Sequence, residues 1–95
     1  MIERHVNFDV FADKTQDFEK IFVEEYRPAM ASMPGYVKVE LLREQESPKT
    51  FQMVIRFETI EAVAAWRASP EHQALSPRLK GMYSGSQLKV YEVLA

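Results

Sequence analysis

Tyr36–Glu44, YVKVELLRE, and Thr50–Glu58, TFQMVIRFE, are two β-rich runs separated only by the polar QESPK of Gln45–Lys49. A connector of that length with Pro48 at its centre reads as a hairpin loop, so the runs are consecutive antiparallel strands. In the second run Phe51, Met53, Ile55 and Phe57 fall on one face and Gln52, Val54, Arg56 and Glu58 on the other, so one face is core. Two strands in direct succession form the centre of the pattern, and what flanks them sets the topology.

Upstream, Ile2–Val10 alternates. Ile2, Val6, Phe8 and Val10 share a face with Arg4, while Glu3, His5, Asn7 and Asp9 share the other. From Asp13 the period lengthens, with Phe18, Ile21, Phe22, Tyr26, Ala29, Met30 and Met33 at helical spacing. Pro28 lacks an amide donor and is expected to kink or tighten the last turn, and Pro34-Gly35 ends the helix near residue 32. Downstream, Thr59 suits an N-cap for a helix carrying Ile60, Val63, Ala64 and Trp66. Ser69-Pro70 interrupts that helix and restarts it, with Ser69 as cap, Pro70 in the first position, and Leu75, Leu79 and Met82 beyond. Gly81 and Gly85 bracket the exit, and Gln87–Leu94 is expected as the last strand. The order is βαββαβ. It packs most simply as an α+β, ferredoxin-like domain: a four-stranded antiparallel sheet with two helices on one face.

The chain has 95 residues, which makes residues 1–95 one domain near the low end of what buries a core unaided. Six Phe, four Tyr, one Trp and five Met are rich for that size. Apolar residues occur at both parities of several strands, so the face without helices is expected to be apolar and covered by the sheet of a second copy. That predicts a homodimer. With 12 basic and 14 acidic residues interspersed, the chain offers no footprint for nucleic acid or membrane surfaces. It has no cysteine, no long apolar run and no basic-then-apolar opening, a combination that predicts a cytoplasmic protein.

Several chemistries drop out. The three glycines, Gly35, Gly81 and Gly85, form neither a dinucleotide fingerprint nor a P-loop. Gly81–Gly85, GMYSG, misses the nucleophile-elbow spacing. His5 and His72 lie on different elements without ligand spacing, so no metal site is expected. The glycines and aromatic spacing of an RNA-recognition strand are missing around Lys49–Phe57.

Met33-Pro34-Gly35-Tyr36, Val39-Glu40-Leu41-Leu42-Arg43, Phe57-Glu58-Thr59 and Ala65-Trp66-Arg67-Ala68-Ser69-Pro70-Glu71-His72 together resemble the antibiotic biosynthesis monooxygenase family, in order and length over essentially the whole chain. The resemblance implies a dimeric α/β barrel and a monooxygenase without a cofactor. In such an enzyme a deprotonated quinol or polyphenol itself reduces dioxygen, and the protein binds it, orients it and accepts a proton. On that implication His72 is the proton acceptor, Trp66 a cavity wall and Asn7 a hydrogen-bond partner for a substrate oxygen. His5 is a second candidate base, and Arg56 and Tyr91 could supply a positive charge and a phenol. Each has an ordinary reading beside it. Trp66, in phase with Ile60 and Val63, fits a core anchor; His72 fits an exposed first-turn residue; and the Asn7 face fits either a pocket lining or a solvated edge.

A haem-degrading branch of the superfamily also pairs an asparagine on strand one with a tryptophan on the second helix, as Asn7 and Trp66 would here. Its haem-ligating histidine falls about ten residues after the tryptophan, where this chain has Ser76. A dimer of the same fold that binds a small molecule, or serves in assembly without catalysis, is the remaining alternative.

Overall fold

The computed structural model describes residues 1–95. Strands β1 (Ile2–Val10), β2 (Tyr36–Arg43), β3 (Thr50–Phe57) and β4 (Tyr83–Glu92) form one antiparallel sheet in the order β2-β3-β1-β4. Between β1 and β2 runs a continuous helical rod: α1 (Thr15–Ile21), a π-helical segment (Phe22–Tyr26) and α2 (Arg27–Ala31). Between β3 and β4 lie α3 (Ile60–Ala68) and α4 (Pro70–Lys80). Both crossovers pack on one face of the sheet, giving the ferredoxin-like arrangement that the order of elements implies.

Register fixes which residues meet the helices. Val6 pairs with Met53 and Leu88, and Phe8 with Phe51 and Ser86, so the face with Ile2, Arg4, Val6, Phe8 and Val10 is the helix side. The core is built there from Phe8, Val10, Phe51, Met53, Ile55 and Phe57 of the sheet and Phe18, Phe22, Met30, Val63, Trp66, Leu75 and Leu79 of the helices. Tyr83, Phe8, Phe18 and Phe51 form a run of tilted aromatic contacts with centroids 4.9, 5.2 and 5.4 Å apart.

Four expectations need correction. Pro28 does not tighten its helix: the turn before it widens, with the Arg27 amide donating to the Phe22 carbonyl five residues back. β4 begins at Tyr83 and ends at Glu92, earlier at both ends than Gln87–Leu94, because β1 offers ladder partners as far as Val10 and a bulge beside Asp9 absorbs the register shift at Gly85. Ile60 is not in the core but 62% exposed; Val63 and Trp66 are the residues that α3 buries. Finally, the face without helices is mainly polar. It carries Glu3, His5, Asn7 and Asp9 of β1 opposite Arg56, Val54, Gln52 and Thr50 of β3, so apolarity gives no reason for covering it. Exposed apolar residues occur on that face only at the edge strands, at Leu42 and Tyr91, and on the helix side of β4 at Leu88 and Val90.

Thr59 and Ser69 cap α3 and α4 as their positions predict. The Thr59 hydroxyl accepts from the Ala62 amide at 3.1 Å. Ser69 Oγ accepts from the His72 amide at 3.1 Å while its hydroxyl donates to the Trp66 carbonyl at 2.7 Å, so one side chain closes α3 and opens α4.

Gly35, between α2 and β2, is the chain's one position of positive φ, at 80°. A Cβ there would stand 2.7 Å from the Ala62 side chain, so backbone conformation and helix approach both require glycine. Gly35→Ala should lower unfolding stability by roughly 2 kcal/mol, from left-handed strain and the clash combined. In denaturant unfolding, the Gly35→Ala/Ala62→Gly pair should lose less than the sum of its single changes; strict additivity would show that the contact carries no energy.

Candidate functional site

A cavity of about 270 Å³ lies between the sheet and α4. Its floor is Arg4, Val6 and Phe8 of β1 with Met53 and Ile55 of β3. Its roof is His72, Ser76, Leu79 and Lys80, which recur at helical spacing along one face of α4. Tyr26, Arg67, Tyr83 and Ser86 complete the wall. Most of the floor is apolar, and the polar groups converge from the sides, the composition expected of a small-molecule site. A larger depression of about 650 Å³ runs beside β2 and the π segment, but its lining contains no histidine or tyrosine, so it offers no group suited to proton transfer near neutrality.

His72 owes its place to the Ser69 cap. That cap sets the first turn of α4, and the imidazole then packs edge-on to Trp66, with ring centroids 5.2 Å apart. Its pKa is pushed below the ordinary imidazole value, first by burial and then by the charges of Arg67 and Arg4, with the Arg67 carbonyl opposing. The ring is therefore neutral at pH 7, the form that accepts a proton. Tyr26 lies on the other side of Trp66, at 5.5 Å and 89°, and burial raises its pKa, so its phenol stays protonated. Trp66 itself is fully buried, and its indole N–H has no hydrogen-bond partner. It stands behind His72 and Tyr26 and does not line the cavity, which makes it the core anchor rather than the wall.

The six candidates do not assemble around one point. His72 and Trp66 lie on the helix side, whereas Asn7, His5, Arg56 and Tyr91 lie on the opposite face of the sheet. There Glu3 joins two of them: His5 Nε2 is 2.8 Å from Glu3 Oε2, and Arg56 Nε donates to Glu3 Oε1 at 2.8 Å. These contacts, His5 first and Arg56 second, hold the Glu3 carboxyl below its ordinary pKa. The Tyr91 ring packs on His5 at 4.8 Å, and Asn7 is exposed beside Gln52 and Gln87. The sheet thus separates Asn7 from Trp66 and from Ser76, so the haem-degrading constellation does not form around a single cavity. No cluster of three or more histidine or carboxylate side chains is arranged to hold a metal ion. No helix is long and apolar enough to cross a membrane.

Sequence reasoning missed Arg4, Tyr26, Arg67, Lys80 and Tyr83 as cavity residues. Arg4 did carry a signal, being a charge within the apolar stripe of β1. The other four read as ordinary core or surface positions.

The family model described as antibiotic biosynthesis monooxygenase matches residues 1–78. Among solved structures, a Nitrosomonas europaea protein described by the same family name superposes with a TM-score of 0.90 at 18% identity, covering 100% of both chains. SnoaB of Streptomyces nogalater, described as a cofactor-independent oxygenase, gives 0.88 at 19% identity over 99% of this chain and 93% of its own. A conserved protein of Methanosarcina mazei Go1 gives 0.88 at 15% identity over 95% and 89%. Identities this low establish a shared fold. No curated protein sequence matches significantly.

Because its folded pKa lies below its unfolded one, His72 supports full stability above about pH 6.5 and withdraws support as pH falls through that value. The two histidine rings are resolvable by NMR. The His72 ring should titrate below 6.5, and Arg67→Ala should move its midpoint upward; an unmoved midpoint would remove Arg67 from its environment.

Proposed function

Since this chain belongs to the antibiotic biosynthesis monooxygenase family, we propose that it is a cofactor-independent monooxygenase acting on a small quinol- or polyphenol-type aromatic in the cavity beneath α4. The observation that carries this reading is His72: a half-buried imidazole, kept neutral, on the wall of a cavity with a mainly apolar floor and cationic sides. His72 Nδ1 or Nε2 takes a phenolic proton, and Arg4 and Arg67 favour the resulting anion.

The anion reduces dioxygen, and a ring carbon–oxygen bond forms to give a peroxide anion. The imidazolium returns its proton to the outer oxygen. Loss of the ring proton and hydroxide as water then leaves a hydroxyquinone. One oxygen atom stays in the product and one leaves in water. All the reducing equivalents come from the quinol, so no separate reductant is required. The apolar floor of Val6, Phe8, Met53 and Ile55 limits water around the anion. Trp66 is a positioning residue that acts through His72 and Tyr26.

We also propose that two copies pair through the sheet face opposite the helices. Glu3, His5 and Arg56 already compensate one another there, so covering them isolates no charge. This reading gives Asn7, His5, Arg56 and Tyr91 to the pairing surface rather than to the substrate.

Oxygen uptake by the metal-stripped protein with a panel of quinols should depend on the protein. It should fall by about 100-fold in His72→Ala, within the usual range for loss of a general base, and by less in Trp66→Phe. The kcat/KM profile should rise with pH through a midpoint below 6.5, and His72→Ala should remove that limb. No uptake across the panel would leave a ligand-binding dimer without catalysis. Light scattering should find two chains at micromolar concentration, and a monomer there would end the pairing proposal.

A further inference from the structure

Three cationic side chains, Arg4, Arg67 and Lys80, line the cavity beneath α4, and no carboxylate does. Every ion pair of the protein lies elsewhere, between His5 and Glu3, Lys38 and Glu40, Arg56 and Glu3, and Arg78 and Glu25. Neither Arg4 nor Arg67 makes a side-chain hydrogen bond, although Arg4 is partly buried on the core-facing side of β1 between Ile2 and Val6. Each guanidinium carries donors in a planar fork suited to an oxyanion, and here both forks are unused. Burial and the charge of Arg67 both weigh against the Arg4 cation, so the two are close enough to repel. An arginine set among apolar neighbours, beside a second arginine and without a counter-charge, is costly in the empty site, and an anion would relieve both the desolvation and the repulsion.

We infer that the substrate carries a fixed carboxylate on its aromatic ring, seated between Arg4 and Arg67. A phenol alone does not meet the requirement, because it is neutral until His72 removes its proton, whereas a carboxylate neutralises the pair on binding. The ring then rests on Val6, Phe8, Met53 and Ile55, with its hydroxyl toward His72. Charge thus selects and orients the molecule before any proton moves. The inference rests on the monooxygenase reading for the location of the substrate and adds its chemical class.

The test compares 2,5-dihydroxybenzoate with its uncharged methyl ester. Binding is followed by fluorescence of Trp66, the only tryptophan, which contacts the cavity residues His72 and Tyr26. The acid should bind at least tenfold more tightly than the ester. Arg67→Gln and Arg4→Gln should each reduce that preference to about threefold or less. Arg67 is exposed, so its variant keeps the comparison valid should Arg4→Gln fold poorly. Equal binding of acid and ester, a preference that survives in Arg67→Gln, or no binding of either at millimolar concentration would each overturn the inference. Oxygen uptake separates the two claims. Turnover of the ester as fast as the acid would sink the carboxylate and keep the monooxygenase, whereas tight binding of the acid without uptake would do the reverse.

Discussion

Ser69 is the one buried serine, and the arrangement of the second crossover depends on its hydroxyl. It satisfies the Trp66 carbonyl at the end of one helix and the His72 amide at the start of the next. Without the hydroxyl, the His72 amide would lose its acceptor, at about 1–3 kcal/mol, and the Trp66 carbonyl would keep only the Ser69 amide as donor. Pro70 adds to the constraint, since it disfavours helical geometry at Ser69, whose backbone is extended between α3 and α4. The sharp corner lets Trp66 plug the core while His72, six residues on, reaches the cavity. Stability and chemistry share this corner.

The sheet divides the remaining polar chemistry. On the open face the central charges are paired: Glu3 serves both His5 and Arg56. On the helix side, Arg4, Arg67 and Lys80 have no ion-pair partner around a volume whose apolar lining is Val6, Phe8, Met53, Ile55 and Leu79. The contrast is physical rather than compositional, because both faces contain arginine and histidine. It also explains the state of His72. Its cationic neighbours and its burial act in the same direction, toward a neutral ring, whereas a carboxylate at the same distance would have cancelled them.

Much of the fold was legible because local signals agreed. The hairpin of β2 and β3, the Thr59 and Ser69 caps and the stop at Pro34-Gly35 each rest on short-range chemistry, and each lies where its residues predict. The site was less legible because it depends on which parity of β1 meets the helices. Phe8 and Val10 settle that against Asn7, and sequence spacing alone does not place Asn7 and His72 on opposite sides of a sheet. Aromatic content misled on the open face, since most of those rings turned inward to a single core. Arg67 and Lys80 gave no signal because exposed cations on helices are ordinary.

The widened turn at Phe22–Tyr26 has a consequence for how this chain tolerates changes in length. Phe18, Phe22, Tyr26 and Met30 recur every four residues and are all buried, yet four residues of an ordinary α-helix rotate about 40° beyond one full turn. Over three such steps the apolar stripe would wander about 120° around the rod, and Met30 would leave the core. The π segment takes back part of that rotation and keeps the stripe straight. Removing a single residue between Phe22 and Tyr26 would restore regular winding and keep the stripe in phase, because the shortened span from Phe18 to Met30 would then turn about 1,100°, within about 20° of three full turns. Loss of one codon there is therefore a change of length and not of phase, which this rod can absorb by giving up its wide turn, as the hairpin at Gln45–Lys49, with its backbone on the surface, can absorb the same deletion by shortening.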